Sequence, residues 1–199
     1  MIANTDAKRG KLSVTLTPEE ERKAKIVEAA LVKAEHTYDP AKYPRTRYGA
    51  APWPRGRWDE EPDVVEWRES GVSCLVVRMS DIGHLNGYVG VPEGHPWWGV
   101  GYDDIKCGVH GGLTYSAHAT WEHLPDMGAP ITVNDEGLWW VGFDCNHSGD
   151  FAPGMGVDSY TNSYTNSYTG SYKTIGYVVA EIECIVQQAL EAKRDHLRR

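Results

Sequence analysis

Gly137–Phe151 reads GLWWVGFDCNHSGDF. Its first half, Leu138–Asp144 (LWWVGFD), is a short run rich in aromatic and branched apolar residues, the composition of a buried strand. The second half, Asp144–Asp150 (DCNHSGD), turns abruptly to small, polar and metal-capable side chains beside a glycine. A strand that ends this way presents chemistry at its tip, because glycine lets a ligand approach the backbone closely.

Similar runs precede it. Ser73–Met79 (SCLVVRM), Gly87–Val91 (GYVGV), a segment around Ile105–His110 and Leu113–Ser116 all read as short strands. Glycine- and proline-containing connections separate them, which predicts a mostly antiparallel sheet. Helices flank the sheet. Thr17-Pro18-Glu19-Glu20 is a helix start, with Thr as cap and Pro in the first turn, and the helix is expected to run to about Glu35. A second helix, roughly Tyr177–Leu197, should bury Val178, Val179, Ile182, Ile185, Val186 and Ala189. KLSVTL, before the first helix, suits a short strand or an extended arm. Helix, strands, helix is the α+β pattern: a mostly antiparallel sheet packed with an N-terminal and a C-terminal helix.

The 199 residues, 41% of them hydrophobic, suffice for one core, so a single domain spanning 1–199 is expected. Two segments depart from the pattern. About 40–62 is rich in proline (Pro40, Pro44, Pro52, Pro54, Pro62) and carries Arg45, Arg47, Arg55 and Arg57 between aromatic residues. It reads as an extended arm laid over the domain. About 158–174 contains SYTNSYTNSYTGSYKT, whose period of four fits neither a solenoid nor a heptad, so a loop is expected.

The net charge of −8 gives no basic footprint, and duplex nucleic acid is not an expected partner. No stretch approaches the ~18 apolar residues of a membrane span, and MIANTDAKRG has no signal-like core, so a cytoplasmic protein is expected. Cys74, Cys107, Cys145 and Cys184 then read as reduced thiols, without the CxxC spacing of a zinc finger. Nothing in the chain argues against a homo-oligomer.

Three strand-end clusters carry the candidate chemistry: Gly94–Gly99 (GHPWWG), Val109–Ser116 (VHGGLTYS) and Asp144–Asp150. His110, Asp144, His147 and Asp150 are ligand types for zinc or manganese. No HExxH or HxHxD signature organises them, so no metal is favoured and the ion is kept as the alternative. Cys145, with His110 or His147 as base and Asp144 as orienter, has the elements of a nucleophilic site. His110-Gly111-Gly112 is like an esterase oxyanion segment, but the chain has no GxSxG elbow, and neither phosphate-loop nor dinucleotide fingerprints occur. Recognition of a small-molecule ligand is the favoured reading. Trp97 and Trp98, with Tyr115, Trp139 and Trp140, would sandwich a planar group. The backbone of Gly111 and Gly112 and the side chains of His110, Ser116, Asp144, His147 and Asp150 would fix its polar edge. A packing account stands beside it, in which Trp139 and Trp140 alternate across a covered sheet while Asp144 and His147 satisfy loop amides.

GYVGVPEGHPWWG (Gly87–Gly99), VHGGLTYS and WWVGFDCNHSGD (Trp139–Asp150), with YVVAEIECIVQQ in the late helix, resemble a group of small proteins encoded by tailed bacteriophages. The resemblance runs from Gly87 to the final helix and implies a phage accessory protein in the host cytoplasm, without naming a reaction. Such proteins include decoys that sequester nucleotide signals of host immunity and enzymes that degrade them. The resulting expectation is a counter-defence sponge binding a small nucleotide-derived ligand. The alternatives are a hydrolase using a metal or Cys/His site, and a protein-interaction module built on the tyrosine repeat.

Overall fold

Ser70 and Gly71 both adopt positive φ, at 51° and 83°. A two-residue turn of this kind matches the twist of the strands it joins. It closes a hairpin between β2 (Val64–Glu69) and β3 (Val72–Arg78), with Glu69 opposite Val72 and Val64 opposite Val77. The computed structural model describes residues 36–37, 53, 55–79, 82–118, 137–156 and 170–198. The remaining strands are β1 (His36–Thr37), β4 (Leu85–Val91), β5 (Tyr115–His118), β6 (Trp139–Asp144), β7 (Asp150–Phe151) and β8 (Ser171–Tyr172). β1 to β6 form one sheet in the order β1-β2-β3-β4-β6-β5, every pairing antiparallel. β7 and β8 make a separate parallel pair. Among the described residues one α-helix, α1 (Ile175–Leu197), lies against the sheet.

This is the expected α+β arrangement of antiparallel sheet and C-terminal helix. The predicted N-terminal helix, KLSVTL, Arg45 and Arg47, and the repeat up to Thr169 lie outside the described residues. No described helix is long and apolar enough to cross a membrane.

β3 and β4 are buried along their whole length. Val72, Cys74 and Val76 face α1 together with Val89, Val91, Val141 and Phe143, while Leu75 and Val77 point to the opposite face and are equally buried. Covering both faces removes the apolar/polar alternation usual in antiparallel strands and explains why SCLVVRM reads as a continuous apolar run. From α1, Val178, Val179, Ile182, Ile185, Val186 and Ala189 complete the core, the face that the helical spacing predicts. Each fully buried isoleucine or valine contributes roughly 1.5–3 kcal/mol.

Two expectations are corrected, and one strand is added. Ile105–His110 is not a strand: Gly108 and His110 give their amides to Gln188 and Glu181 of α1 rather than to a ladder. β5 begins at Tyr115 instead of Leu113, because Val109–Gly112 closes a turn and Thr114 makes the first bond, to Gly142 O at 2.9 Å. β2 was not anticipated, although Val64-Val65 followed by Ser70-Gly71 is a hairpin signal.

The end of the proline/arginine-rich segment is held to this body. Arg57–Glu60 forms one 3-10 turn, with Asp59 accepting from Gly56 N at 2.8 Å. Trp58 is buried against Phe151 and Tyr172, at ring separations of 5.7 and 5.3 Å. Nearby sits a buried cation. Arg78, its side chain 1% exposed, donates to Asp63 at 2.7 Å, Glu61 at 3.0 Å, Gly83 O at 3.2 Å and Tyr172 at 2.6 Å. Glu61 also accepts from Ile175 N, so this network ties the start of α1 and β8 to the loop before β2. Thr174 caps the helix, accepting from Tyr177 N.

Removing one member of a buried ion network strands the others without compensation. Arg78→Ala is expected to lower the unfolding free energy by about 3–5 kcal/mol, read from urea denaturation. A loss under 1 kcal/mol would show that Glu61 and Asp63 find water instead.

Candidate functional site

β6 ends at Asp144, and the chain then turns tightly. Asp144 accepts from Asn146 N at 3.0 Å, and Asp150 accepts from His147 N at 3.0 Å, so two aspartates cap one small loop. Gly149, at φ 92°, reverses the chain into β7. The His110 turn meets this loop. Gly111, at φ 66°, lies so close to the His147 ring that a β-carbon there would collide with it. The His110 and His147 rings stand edge to face, 5.4 Å apart.

His110 is held from three sides. Its Nε2 donates to Asp150 at 2.8 Å, its Nδ1 meets the Tyr177 hydroxyl at 3.0 Å, and its backbone N–H donates to Glu181 at 2.8 Å. Ionised Asp150 can only accept, so the ring proton sits on Nε2 and Tyr177 donates to Nδ1. Asp150 is 4% exposed. Burial pushes its carboxyl up, but the His110 hydrogen bond, the His147 amide and Lys173 together bring it below the usual carboxylate range. Lys173 lies 3.4 Å from the other Asp150 oxygen and over the Tyr177 ring.

His147 differs. Its Nδ1 is buried and makes no hydrogen bond among the described residues; the nearest carboxylate oxygens, on Asp144 and Asp150, are each 3.7 Å away. The donor atoms of His110, His147 and Asp150 all lie within 4.8 Å of one another. Ligands of a tetrahedral zinc ion stand about 3.3 Å apart, as Zn–N bonds of ~2.05 Å require.

The second and third sequence clusters therefore meet, bringing together His110, Gly111, Asp144, His147 and Asp150. Gly112 follows in the same turn. The first cluster lies elsewhere. Val91 opposes Trp139 while Asn86 opposes Asp144, so GHPWWG leaves the sheet about 17 Å along β4 from the Asp144 end. There Trp97 is buried in the core, and Trp98 packs on His118 and donates to Gly137 O. His95 Nδ1 accepts from Trp97 N, so Nε2 carries the proton and donates to Ala189 O at 3.0 Å. Ser116 accepts from Tyr102 N, bracing a 3-10 turn against β5. These placements give Trp97, Trp98 and Ser116 packing roles and no contact with the His110 cluster.

Cys145 points into the core at 2% exposure. Burial first, then Asp150 and Asp144, push its thiol far up, so no thiolate is available for attack. Tyr177, Glu181 and Lys173 were absent from the sequence reading of the site. Tyr177 and Glu181 are one turn apart on the flank of the apolar stripe of α1, a spacing visible in YVVAE but meaningless without knowing what faces it.

Comparison with protein-family models, with curated proteins and with solved structures gives no match to this chain.

Two outcomes follow from the titration chemistry. Asp150 has a lowered pKa when folded, so it adds stability above its unfolded value of 3.8 that disappears as pH falls through the lower folded value. Asp150→Asn should flatten that acid limb in melting curves taken between pH 5 and about 2, whereas an unchanged limb would deny the shift. In the native state, iodoacetamide should modify the exposed Cys184 and spare Cys145, as peptide mass mapping would show. Rapid labelling of Cys145 would contradict its burial.

Proposed function

We propose that the chain binds a divalent cation, zinc or manganese, through His110 Nε2, His147 Nδ1 and Asp150 Oδ2, and hydrolyses a small nucleotide-derived substrate there. The observation that carries this reading is the buried, unpartnered His147 Nδ1 facing two carboxylates beside a second imidazole. In the imidazole tautomer protonated on Nε2, Nδ1 offers a lone pair with no donor beside it, which a cation satisfies directly.

Two imidazoles and one carboxylate make a set with positions left for water and substrate, the pattern of catalytic rather than closed structural sites. Such an ion supplies Lewis acidity, polarising a phosphoryl or carbonyl oxygen and making water acidic near neutral pH. The chain's own groups do the rest. Lys173 orients Asp150 and adds positive charge next to the cluster. Asp144, 3.7 Å from His147 Nδ1, is placed to orient water or to join as a further oxygen donor. The side chain of His147, 33% exposed, marks the route from solvent. The resemblance of VHGGLTYS and WWVGFDCNHSGD to tailed-phage proteins supports nucleotide-derived signals as the substrate class.

Binding without turnover, a sponge for a host immune signal, is the second reading. It is favoured by the state of the protic groups beside the cluster. Burial and Glu181 push Tyr177 up to about 12, and Cys145 is held as a thiol, so neither is poised to attack.

His147→Ala separates these from a purely structural cluster, because it removes a nitrogen that stabilises nothing by hydrogen bonding. Calorimetric titration with zinc or manganese should show one site in the unaltered chain and at least a tenfold weaker one in His147→Ala, with similar melting temperatures before metal is added. Mass spectrometry after incubation with cyclic nucleotides and ADP-ribose derivatives then decides turnover. Altered masses mean hydrolysis, and intact ligand with a raised melting temperature means a sponge. Failure of the unaltered chain to take up either ion would end the metal reading.

A further inference from the structure

We infer that Tyr177 and Glu181, both on α1, form a positioning relay that sets which nitrogen of His110 is free to bind the cation. The inference rests on the metal reading above and goes beyond it, since neither side chain is a ligand. His110 is the member of the cluster whose geometry is most constrained: Asp150 on Nε2, the Tyr177 hydroxyl on Nδ1 at 3.0 Å, and Glu181 on its backbone N–H at 2.8 Å. Glu181 lies one helical turn further along, close enough for its charge to act on the Tyr177 hydroxyl. A carboxylate and a phenol from one helix thus both hold the imidazole whose Nε2 faces Asp150.

This set has two proton arrangements. Without a cation, Nε2–H donates to Asp150 and the Tyr177 hydroxyl donates to Nδ1. With a cation on Nε2, that nitrogen must offer its lone pair, so the ring proton resides on Nδ1 and donates to the Tyr177 oxygen. The phenolic proton then turns to Glu181, a carboxylate that can only accept. The imidazole stays neutral and carries one proton in both arrangements, so the change is one of tautomer and hydroxyl orientation. Partners that hold the outer nitrogen of a liganding histidine in this way fix its ring plane and raise its basicity. The Tyr177 ring stands at 90° to the His110 ring, with Lys173 over its face, so the phenol is itself held in place.

The test uses zinc and the full chain. Tyr177→Phe removes the relay oxygen and should weaken zinc binding by about 10- to 100-fold in calorimetric titration. Glu181→Gln keeps an acceptor for the His110 amide but withdraws the charge; a smaller weakening in the same direction is expected, and it serves if Tyr177→Phe fails to fold. Nitrogen-15 NMR of the His110 ring gives a readout that a merely structural role would not move. The unaltered chain should show the proton on Nε2 without zinc and on Nδ1 with it. Zinc binding by the unaltered chain with no change of tautomer, or equal affinity in both variants, overturns the relay while leaving the metal site intact. No zinc uptake by the unaltered chain overturns both.

Discussion

α1 lies so close to the sheet that Gly87, in the middle of β4, has no room for a β-carbon: one would collide with Phe143 of β6 and crowd Ile182 of the helix. This close approach is the constraint on which the rest of the structure depends. It lets Val178, Val179, Ile182, Ile185 and Val186 interdigitate with Val76, Val89, Val141 and Phe143 in one core. It also brings the polar flank of the helix within hydrogen-bonding reach of a loop with no ladder partner. Gln188 takes both the N–H and the C=O of Gly108, and Glu181 takes the N–H of His110. The helix therefore serves as a substitute strand for 107–110, and His110 is aimed by that substitution.

Charge is distributed with the same logic. The chain carries a net −8, and among the described residues Arg78 is buried between Glu61 and Asp63 at the start of α1 while the part-buried Lys173 lies against Asp150 at the candidate site. Four residues connect them, from Ser171 to Thr174: Tyr172 belongs to the Arg78 network, Lys173 to the His110 cluster, and Thr174 caps the helix. The parallel pairing of Asp150–Phe151 with Ser171–Tyr172 places this short segment between the two networks. Disturbing one should be felt at the other through very few covalent bonds, since buried polar groups have no solvent to fall back on.

Much of the fold was legible in the residues. Apolar runs marked β3, β4 and β6, and helical spacing marked the buried face of α1, because both signals are local. Ile105–His110 misled because an apolar, glycine-flanked run looks alike whether its amides go to a neighbouring strand or to glutamine and glutamate side chains far along the chain. β2 was hidden by the proline-rich stretch before it, although its Ser-Gly turn was in view. The site was half legible. His110, His147 and Asp150 were named from their chemistry, but GHPWWG was grouped with them on composition alone, and strand register puts it at the other end of β4 and β6.

By itself the sequence determined an α+β chain, the strand ending in DCNHSGD, and a short set of side chains able to ligate or to hydrogen-bond. Those are properties of residue type and spacing within a few positions. Only the tertiary structure decided that His110 and His147 share one place, that Cys145 faces the core, and that Tyr177 and Glu181 stand behind His110. The reason is distance along the chain: His110 is 40 residues from Asp150 and 67 from Tyr177. No local pattern encodes such contacts. They exist because packing α1 against the sheet leaves the helix flank and two loop turns a common volume, and the polar groups there must satisfy one another.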